Sequence, residues 1–346
     1  PETQIDSSAM IPIRFDELLE VVDGTPGRPL GNSYVRQNRQ LQRVVTDSRC
    51  VQPGDLFVAL AGSRHHGEEF LADAARAGAT AAVVERDGAR CEGLECVRVG
   101  ESLGALWRLA AWNRDRSATE RVAVTGSFAK TTTRQMVHWV LASQSTARQS
   151  PRNFNNHVGL PLSLLRLEDA DRFAVLEMGA SAPNEISRLT ELARPQMGIL
   201  TGLGRAHLQG FGSVDNVALE KSALLRGLPA DGLAVVPQEF RARLGEIGCR
   251  VQTVGTCAGA SILAHDVRQT AQGVCFVVDG QTFEVPVAGR HFVDAALSAV
   301  AIARESGLTD LETSRSLSTF RGAAGRCHVW RLGDHTLIDD TYNASP

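Results

Sequence analysis

Short apolar runs alternate with amphipathic stretches along most of this 346-residue chain. The apolar runs have the length of buried strands, and the stretches between them repeat apolar residues at helical spacing. The strands predicted in this way are 55–60, 81–85, 94–99, 121–125, 173–178, 197–201 and 233–236. The predicted helices are 68–77, 102–114, 131–142, 185–192 and 214–228. Strands that alternate with helices of this length predict an α/β fold with mainly parallel sheets, covered by helices on both faces.

The pattern changes beyond residue 249. Short strands with glycine turns, predicted at 250–254, 274–278 and 282–287, favour a small antiparallel patch. Two helices follow at 291–305 and 310–319, and then a hairpin of strands 327–332 and 335–339. The hairpin has the form of a domain that has only begun. We therefore expect the natural chain to continue past Pro346 by about a hundred residues, the size of one small domain.

The same patterns predict three parts of the chain. Residues 1–116 form a small N-terminal α/β domain that opens with a polar, turn-rich segment, and the helix at 102–114 leads out of it. Residues 117–326 form a central domain with the parallel sheet and the antiparallel patch, and 327–346 begin a truncated C-terminal domain. A length of 346 residues leaves ample chain for buried cores in the first two parts.

Charge and cysteine content narrow the class of protein. A net charge of -3 and a pI near 6.4 argue against a general nucleic-acid binder or a membrane-surface protein. No apolar run approaches the roughly 18 residues of a membrane helix, and the N-terminus has no signal-peptide pattern. The seven cysteines contain no C-x-x-C pair and are odd in number, which indicates reduced thiols. We expect a cytoplasmic protein.

Only two of the 36 basic residues are lysines, Lys130 and Lys221. Lysine is a compact charge that can lose its proton and react, whereas arginine is a planar group that stays charged. A chain so poor in lysine keeps one either by accident or where a primary amine cannot be replaced, and both of these lie in segments with the pattern of a chemical site. The two lysines therefore indicate a nucleotide-dependent enzyme.

Lys130 lies in a segment with the layout of a phosphate-binding loop. The predicted strand 121–125 is followed by Gly126-Ser127-Phe128-Ala129-Lys130-Thr131 and then by a predicted helix. In such loops backbone N–H groups surround the phosphates, the lysine reaches the β- and γ-phosphates, and the threonine hydroxyl binds Mg²⁺. The candidate ATP contacts in this segment are Gly126, Ser127, Ala129, Lys130, Thr131 and Thr132. An ordinary βα turn with a surface lysine is the alternative.

The loop belongs to a set of motifs along the chain. They are T-G-S-x-x-K-T-T-T, N-x-N-N-x-x-G-x-P at 153–161, V-L-E-M-G-A at 175–180, A-H-L at 206–208 and Lys221. Upstream lie T-D-S-R at 46–49 and P-G-D-L-F-V-A-L at 53–60. With this set the chain resembles the Mur ligases, the ATP-dependent amide-forming enzymes of peptidoglycan precursor synthesis. The ending T-Y-N-A-S-P at 341–346 is similar to that of the branch that adds D-alanyl-D-alanine.

The resemblance implies a fold and a reaction. It implies a UDP-sugar-binding N-terminal domain, a central P-loop-type ATPase domain, a Rossmann-like C-terminal domain and a monomeric protein. ATP would phosphorylate the terminal carboxylate of UDP-N-acetylmuramoyl-tripeptide, and the amine of D-Ala-D-Ala would then attack the acyl phosphate. Because the amine-substrate domain would lie past Pro346, we expect the chain by itself to bind the UDP-linked peptide but not to ligate it at an appreciable rate.

The resemblance also implies roles for individual residues. Lys130 would clamp the transferred phosphate, Thr131 and Glu177 would hold one Mg²⁺, and His207 with the carbamate of Lys221 would hold a second. The implied contacts to the rest of the nucleotide are Asn156, His291, Asp294, Arg326 and Asp340. The implied contacts to the UDP group are Thr46, Asp47, Ser48 and Arg49.

Each of these residues has an alternative without a ligand. Glu177 could be a solvent-facing carboxylate on an edge strand, and His207 a hydrogen-bonded structural residue. His291 could be merely the N-terminal residue of a helix, and Arg326 or Asp340 ordinary surface charge.

Several positions depart from the pattern of the family, among them His65-His66-Gly67-Glu68 in place of an Asp-Gly-His signature in the N-terminal domain. Ala129 stands where a second glycine is expected, Gly202 and Asp294 where asparagine is usual, and Asn184 where glycine is usual. An alanine forced to a positive φ costs about 1–2 kcal/mol. These departures leave open a protein that binds nucleotide but is catalytically impaired. A ligase of the folylpolyglutamate or cyanophycin synthetase type is the other alternative.

Overall fold

The computed structural model of the chain describes residues 10–26, 40–62, 64–204, 208–270, 273–287, 289–322, 325–326, 328–333 and 335–341. The chain divides into two compact units. The first comprises Pro1–Thr119 and His157–Asp171, and the second comprises Glu120–Asn156 and Arg172–Pro346. Within the described residues, no helix is both long enough and apolar enough to cross a bilayer.

The first unit is built on a five-stranded sheet with the order β2-β7-β6-β5-β4. Strands β4 to β7 are parallel, and β2 runs antiparallel to β7 at one edge. A short ribbon pairs β1 with β3. The strands are β1 (Ile13–Arg14), β2 (Thr25–Pro26), β3 (Gln40–Leu41), β4 (Val44–Val45), β5 (Leu56–Val58), β6 (Ala81–Val84) and β7 (Glu95–Arg98). The helices are α1 (Phe15–Val22), α2 (Leu71–Arg76), α3 (Ser102–Arg116) and α5 (Gly159–Leu164).

A buried asparagine joins residues 157–171 to this first unit. Asn113 on α3 is fully buried, and its amide nitrogen donates to the carbonyls of Leu164 and Leu167 at 2.9 and 3.0 Å. Its amide oxygen accepts the backbone N–H of Ile11 at 3.0 Å. Because a buried amide is costly unless its hydrogen bonds are made, this side chain fixes three segments in one arrangement.

The second unit is built on a seven-stranded parallel sheet with the order β14-β13-β12-β11-β8-β10-β9. An antiparallel sheet β15-β16-β17 and a hairpin β18-β19 complete it. The strands of the large sheet are β8 (Glu120–Thr125), β9 (Ala147–Gln149), β10 (Phe173–Glu177), β11 (Met197–Leu200), β12 (Leu233–Pro237), β13 (Arg250–Gly255) and β14 (Ile262–Leu263). The other strands are β15 (His265–Gln269), β16 (Val274–Val278), β17 (Gln281–Val285), β18 (His328–Leu332) and β19 (His335–Asp339). The helices are α4 (Lys130–Ala142), α6 (Glu185–Ala193), α7 (Leu208–Phe211), α8 (Val214–Arg226), α9 (Phe292–Glu305) and α10 (Asp310–Leu317).

The predicted α/β fold with a mainly parallel central sheet and a small antiparallel sheet is confirmed. One strand was assigned to the wrong sheet. The strand predicted at 250–254 belongs to the parallel sheet as β13, where Leu233 is paired with Arg250. It is short and followed by a glycine turn, like the antiparallel strands after it, but it lies beside β12 and packs under the buried helix α9. A sequence pattern does not reveal which strand is the partner.

The order of the large sheet places three chain segments at one edge. Strand β8 lies between β11 and β10, and all three run parallel. Their carboxyl ends, at Thr125, Leu200 and Glu177, therefore lie next to one another. In open α/β sheets ligands bind outside the carboxyl ends of the strands.

Candidate phosphate-binding site

The segment between β8 and α4 is a tight loop closed by its own lysine. Gly126 has a φ of 151°, and a Cβ at this position would lie 2.1 Å from Oγ1 of Thr201, so only glycine fits. The Nζ of Lys130, the first residue of α4, donates to the carbonyl of Gly126 at 2.8 Å. The loop thus curls around the N-terminus of a helix, where free N–H groups favour an anion.

Charged and hydroxyl groups surround Lys130. Burial lowers the pKa of its ammonium, the carboxylate of Glu177 opposes this shift, and the charge of Arg326 adds to it. Arg326 donates to the hydroxyl of Thr131 at 3.1 Å. Four predicted site residues, Lys130, Thr131, Glu177 and Arg326, therefore lie in one cluster.

Glu177 ends β10 and is 2% exposed, so the alternative of a solvent-facing carboxylate is wrong. Its Oε1 accepts from Nδ2 of Asn155 at 2.9 Å, and its Oε2 accepts from Nη1 of Arg134 at 3.2 Å. The same guanidinium donates to the carbonyl of Arg152 at 2.7 Å and to Oε1 of Gln149 at 3.1 Å. A buried charge pair is tolerated when its other hydrogen bonds are made, and that condition holds here.

Arg134 is a site residue that the sequence analysis missed. It lies four residues after Lys130 on α4, and side chains at that spacing share one face of a helix. Its side chain is only 3% exposed. The spacing from Lys130 could have indicated it, but a chain with 34 arginines gives no reason to single out one of them.

Lys221 lies in the middle of α8 and is 2% exposed. Its Nζ donates to the carbonyl of Ala180 at 3.3 Å and lies 5.8 Å from the ring centroid of Phe211. Burial, and secondly the charge of Lys130, lower the pKa of the ammonium to about 8. The two lysines of the chain are therefore within electrostatic range of each other. His207, the predicted neighbour of Lys221 at a metal, lies outside the described residues.

Glu220, the residue before Lys221, holds the start of helix α6 through two hydrogen bonds. Glu220 is buried, and its carboxylate accepts the N–H groups of Asn184 and Ile186, both at 2.7 Å, at the start of α6. A carboxylate at a helix N-terminus is stabilised by the helix dipole. Asn184 adopts a φ of 65°, a left-handed conformation that asparagine tolerates better than most residues. That conformation explains why asparagine replaces glycine here.

Further predicted nucleotide contacts lie near the start of α9. His291 directly precedes this helix, and burial lowers the pKa of its imidazole while the nearby Asp340 opposes the shift. Burial, followed by the charge of Glu239, raises the pKa of Asp294 one turn further on. The structure thus brings His291 and Asp340 together. Asn156 is exposed.

The predicted UDP contacts belong to the first unit and follow β4 at an edge of its sheet. Asp47 accepts the backbone N–H of Arg49 at 3.0 Å and pairs with its guanidinium at 2.6 Å. This pairing lowers the pKa of the Asp47 carboxyl. Thr46 and Ser48 are half-buried, and the Arg49 side chain is exposed. The four residues form a small polar turn accessible to solvent.

Ala129 occupies a left-handed conformation, with φ 58° and ψ 5°. Ala129→Gly is therefore expected to raise the free energy of unfolding by up to about 1 kcal/mol. Relief of about 1–2 kcal/mol of backbone strain is partly offset by the greater freedom of glycine in the unfolded chain. Urea denaturation of the two proteins measures the difference. A destabilised Ala129→Gly variant would contradict the assigned strain.

Family models match both units of the chain. A model described as the Mur ligase middle domain matches residues 124–303, and a model described as the Mur ligase family catalytic domain matches residues 40–103. The first match includes the loop at Gly126, the carboxylate of Glu177 and Lys221, and the second includes the turn at 46–49.

Individual proteins are similar over nearly the whole chain. The UDP-N-acetylmuramoyl-tripeptide–D-alanyl-D-alanine ligases of Bacillus subtilis and Escherichia coli are each 33% identical, over 97% of this chain and 74% of their own length. The crystal structure of MurF from Acinetobacter baumannii superimposes with a TM-score of 0.88 at 30% identity, covering 97% of this chain and 74% of that one. MurF from Thermotoga maritima in complex with ADP gives a TM-score of 0.78 at 28% identity, covering 88% and 71%.

Proposed function

Because this chain belongs to the Mur ligase family, we propose that it catalyses the ATP-dependent addition of D-alanyl-D-alanine to UDP-N-acetylmuramoyl-tripeptide. The observation that carries the proposal is the cluster at the carboxyl edge of the parallel sheet, where Lys130 and the buried Glu177 flank a phosphate-type loop. The named relatives act on these two substrates, and this chain shares a third of its residues with them.

The reaction has two chemical steps. An oxygen of the tripeptide carboxylate attacks the γ-phosphorus of ATP, which forms an acyl phosphate and releases ADP. The amine of D-Ala-D-Ala then attacks the acyl carbon, the amide bond forms, and inorganic phosphate leaves as the amine loses a proton. Enzymatic phosphoryl transfer depends mainly on positioning and on charge neutralisation. Lys130 and Arg326 supply positive charge beside the loop, and the helix N-terminus supplies free N–H groups.

The donor set beside the loop fits Mg²⁺. Mg²⁺ prefers oxygen ligands and is commonly held by one or two carboxylates together with substrate phosphates. Glu177 provides a buried carboxylate, and its hydrogen bonds to Arg134 and Asn155 leave lone pairs on both oxygens. Thr131 provides a hydroxyl that also accepts from Arg326. In the described residues no three His, Cys, Asp or Glu side chains cluster as a metal site, so the phosphates would complete the ligand set. Bound there, the ion would neutralise charge on the phosphates.

Lys221 is proposed to act as its carbamate. The uncharged amine adds to CO₂, forming an N–C bond and releasing a proton, and the product carries two oxygens instead of a cationic nitrogen. A pKa of about 8 leaves part of the amine uncharged near neutral pH. Arginine cannot form this group, which accounts for the second lysine in an arginine-rich chain. His207 is proposed to lie beside the carbamate at a second Mg²⁺.

The rest of the nucleotide and the UDP group are assigned to two further places. We place the nucleoside near His291, Asp294 and Asp340, because the first and last of these interact electrostatically at the start of α9. We place the UDP group at the exposed polar turn 46–49 of the first unit. Asn156, Ser127 and Thr132 are proposed as further contacts around the phosphates.

The proposal is tested with the purified protein, Mg²⁺, ATP, UDP-N-acetylmuramoyl-tripeptide and D-Ala-D-Ala. Calorimetry is expected to detect binding of ATP and of the UDP-linked tripeptide, and phosphate release is expected to require the tripeptide. Mass spectrometry detects a UDP-linked pentapeptide, whose formation would support the proposed reaction and contradict the expectation that the chain by itself does not ligate at an appreciable rate. UDP-N-acetylmuramate without the peptide is the matched control ligand. Binding of ATP without any binding of the UDP-linked tripeptide would contradict the assigned substrate.

Lys130→Arg is expected to weaken the binding of Mg²⁺-ATP by about tenfold to a hundredfold, the usual worth of a hydrogen bond to a charged group. The planar guanidinium cannot occupy the space in which the ammonium reaches the carbonyl of Gly126. Calorimetry measures the dissociation constant. The control is the reverse exchange at an exposed position, Arg243→Lys, which should leave the dissociation constant of Mg²⁺-ATP unchanged. Equal affinities for wild type and Lys130→Arg would remove Lys130 from the nucleotide site.

A further inference from the structure

Phe128, the third residue of the phosphate loop, is a large apolar residue that is 51% exposed. Its ring lies against the backbone of Gly202 and Gly204, in the segment that follows β11. A Cβ built on Gly202 would lie 2.3 Å from Cζ and 2.5 Å from Cε2 of the ring. The space that a side chain at position 202 would need is therefore already filled by Phe128.

A side chain at 202 is opposed by this ring, which would have to move, and not by the backbone of residue 202 itself. Gly202 is absent from the described residues with positive φ, so its conformation suits any residue. At Gly204 a Cβ would lie 3.4 Å from the ring, which is an ordinary van der Waals distance. The steric exclusion is thus specific to position 202. It explains why this chain has glycine where asparagine is usual.

Hydrogen bonds join the same two segments. The hydroxyl of Thr201 donates to the carbonyl of Phe128 at 2.5 Å, and the N–H of Ser127 donates to the carbonyl of Gly202 at 2.9 Å. The residue after Phe128 is the strained Ala129. A non-glycine residue persists in such a conformation only where its surroundings determine it. The ring on Gly202 and the two hydrogen bonds are those surroundings.

We propose that Phe128 and Gly202 form a coupled pair that positions the phosphate loop for the nucleotide. Phe128 is a positioning residue in this arrangement: its ring, seated on Gly202, holds the backbone of residues 126–129 in the shape in which its N–H groups meet the phosphates. The inference rests on the proposed function, since it assigns the loop to ATP. Pre-organisation of a binding loop increases affinity because less ordering remains to be done on binding.

The test is a double-mutant cycle of Phe128→Ala and Gly202→Ala, with Gly204→Ala as the matched control. Without ligand, Gly202→Ala is expected to lower the Tm by roughly 2–10 °C, because the methyl overpacks against the ring. In the Phe128→Ala background the same substitution is expected to lower the Tm by less than half as much. Gly204→Ala is expected to change it little in either background.

Calorimetry with ADP and Mg²⁺ gives the second readout. Gly202→Ala is expected to weaken ADP binding about tenfold, the equivalent of the lost pre-organisation of one or two side chains. In the Phe128→Ala background, Gly202→Ala is expected to have no further effect, so the double variant should bind ADP with the same affinity as Phe128→Ala alone. Gly204→Ala should bind ADP as the wild type does.

The results of these measurements distinguish the contact between Phe128 and Gly202 from its role in positioning the loop. If Gly202→Ala and Gly204→Ala have the same Tm and the same ADP affinity, the pair is refuted while the assigned reaction stands. If the Tm values show coupling but all variants bind ADP equally, the contact is structural and the positioning role is refuted. If the wild type binds no ADP, the assigned ATP-dependent reaction fails together with the positioning role.

Discussion

Replacing Glu177 with alanine is expected to lower the free energy of unfolding by about 3–5 kcal/mol, the usual cost of removing one partner of a buried ion pair. Both side chains of the Arg134–Glu177 pair are only 3% exposed, so water cannot solvate the guanidinium that remains. Asn155 would also lose its acceptor. Denaturant unfolding at pH 7 measures the loss.

The size of this loss of stability depends on leaving Arg134 buried and charged without the carboxylate of Glu177. The double replacement Glu177→Leu with Arg134→Met removes both charges and is expected to be clearly less destabilising than Glu177→Ala alone. Glu246→Ala, at an exposed position, serves as the control for loss of a carboxylate. A loss of less than about 1 kcal/mol in Glu177→Ala, the range of exposed ion pairs, would show that the pair is solvated in solution.

Lys221→Met is expected to raise the free energy of unfolding by about 3 kcal/mol at pH 7 in buffer depleted of CO₂. Burial lowers the pKa of Lys221 from 10.5 to about 8, and each pKa unit corresponds to about 1.4 kcal/mol. Below pH 8 the folded protein therefore bears the cost of a buried ammonium. Methionine fills the space without a charge.

The stability difference between wild type and Lys221→Met is expected to change with pH. Between pH 8 and 10.5 the unfolded chain binds more protons at Lys221 than the folded chain does, so the stability of the wild type rises with pH across this window. The advantage of Lys221→Met should accordingly shrink from pH 7 to pH 9.5. Arg243→Met, at an exposed position, should show no such trend. A constant difference between wild type and Lys221→Met would show that the amine titrates normally. Loss of tripeptide-dependent phosphate release in this stabilised variant would separate its function from its stability.

Much of the fold could be predicted because local patterns determine it. Helix α4, strand β10 and strand β8 lie within one residue of their predicted bounds, since each is a periodic segment bounded by turn residues. Helix α1, in the segment predicted to be turn-rich, and helix α5 were not predicted. Strands β9, β14 and β15 are also among the elements not predicted, and β13 was placed in the wrong sheet. Such strands carry little pattern of their own, and their place depends on which neighbours they pair with.

The candidate site divides in the same way. The sequence by itself predicted the loop at Gly126 with Lys130 from the residue types and spacing that phosphate binding requires. It predicted Glu177 and Lys221 as ligand residues only through the resemblance to a family. Only the tertiary structure decided that Arg134 and Asn155 hold Glu177. It alone decided that burial, and secondly the charge of Lys130, lower the pKa of Lys221, and that Phe128 occupies the space beside Gly202. These facts depend on burial and on distances between segments far apart in the chain. A linear pattern records neither, because burial and contact arise only when the strands have taken their order in the sheet.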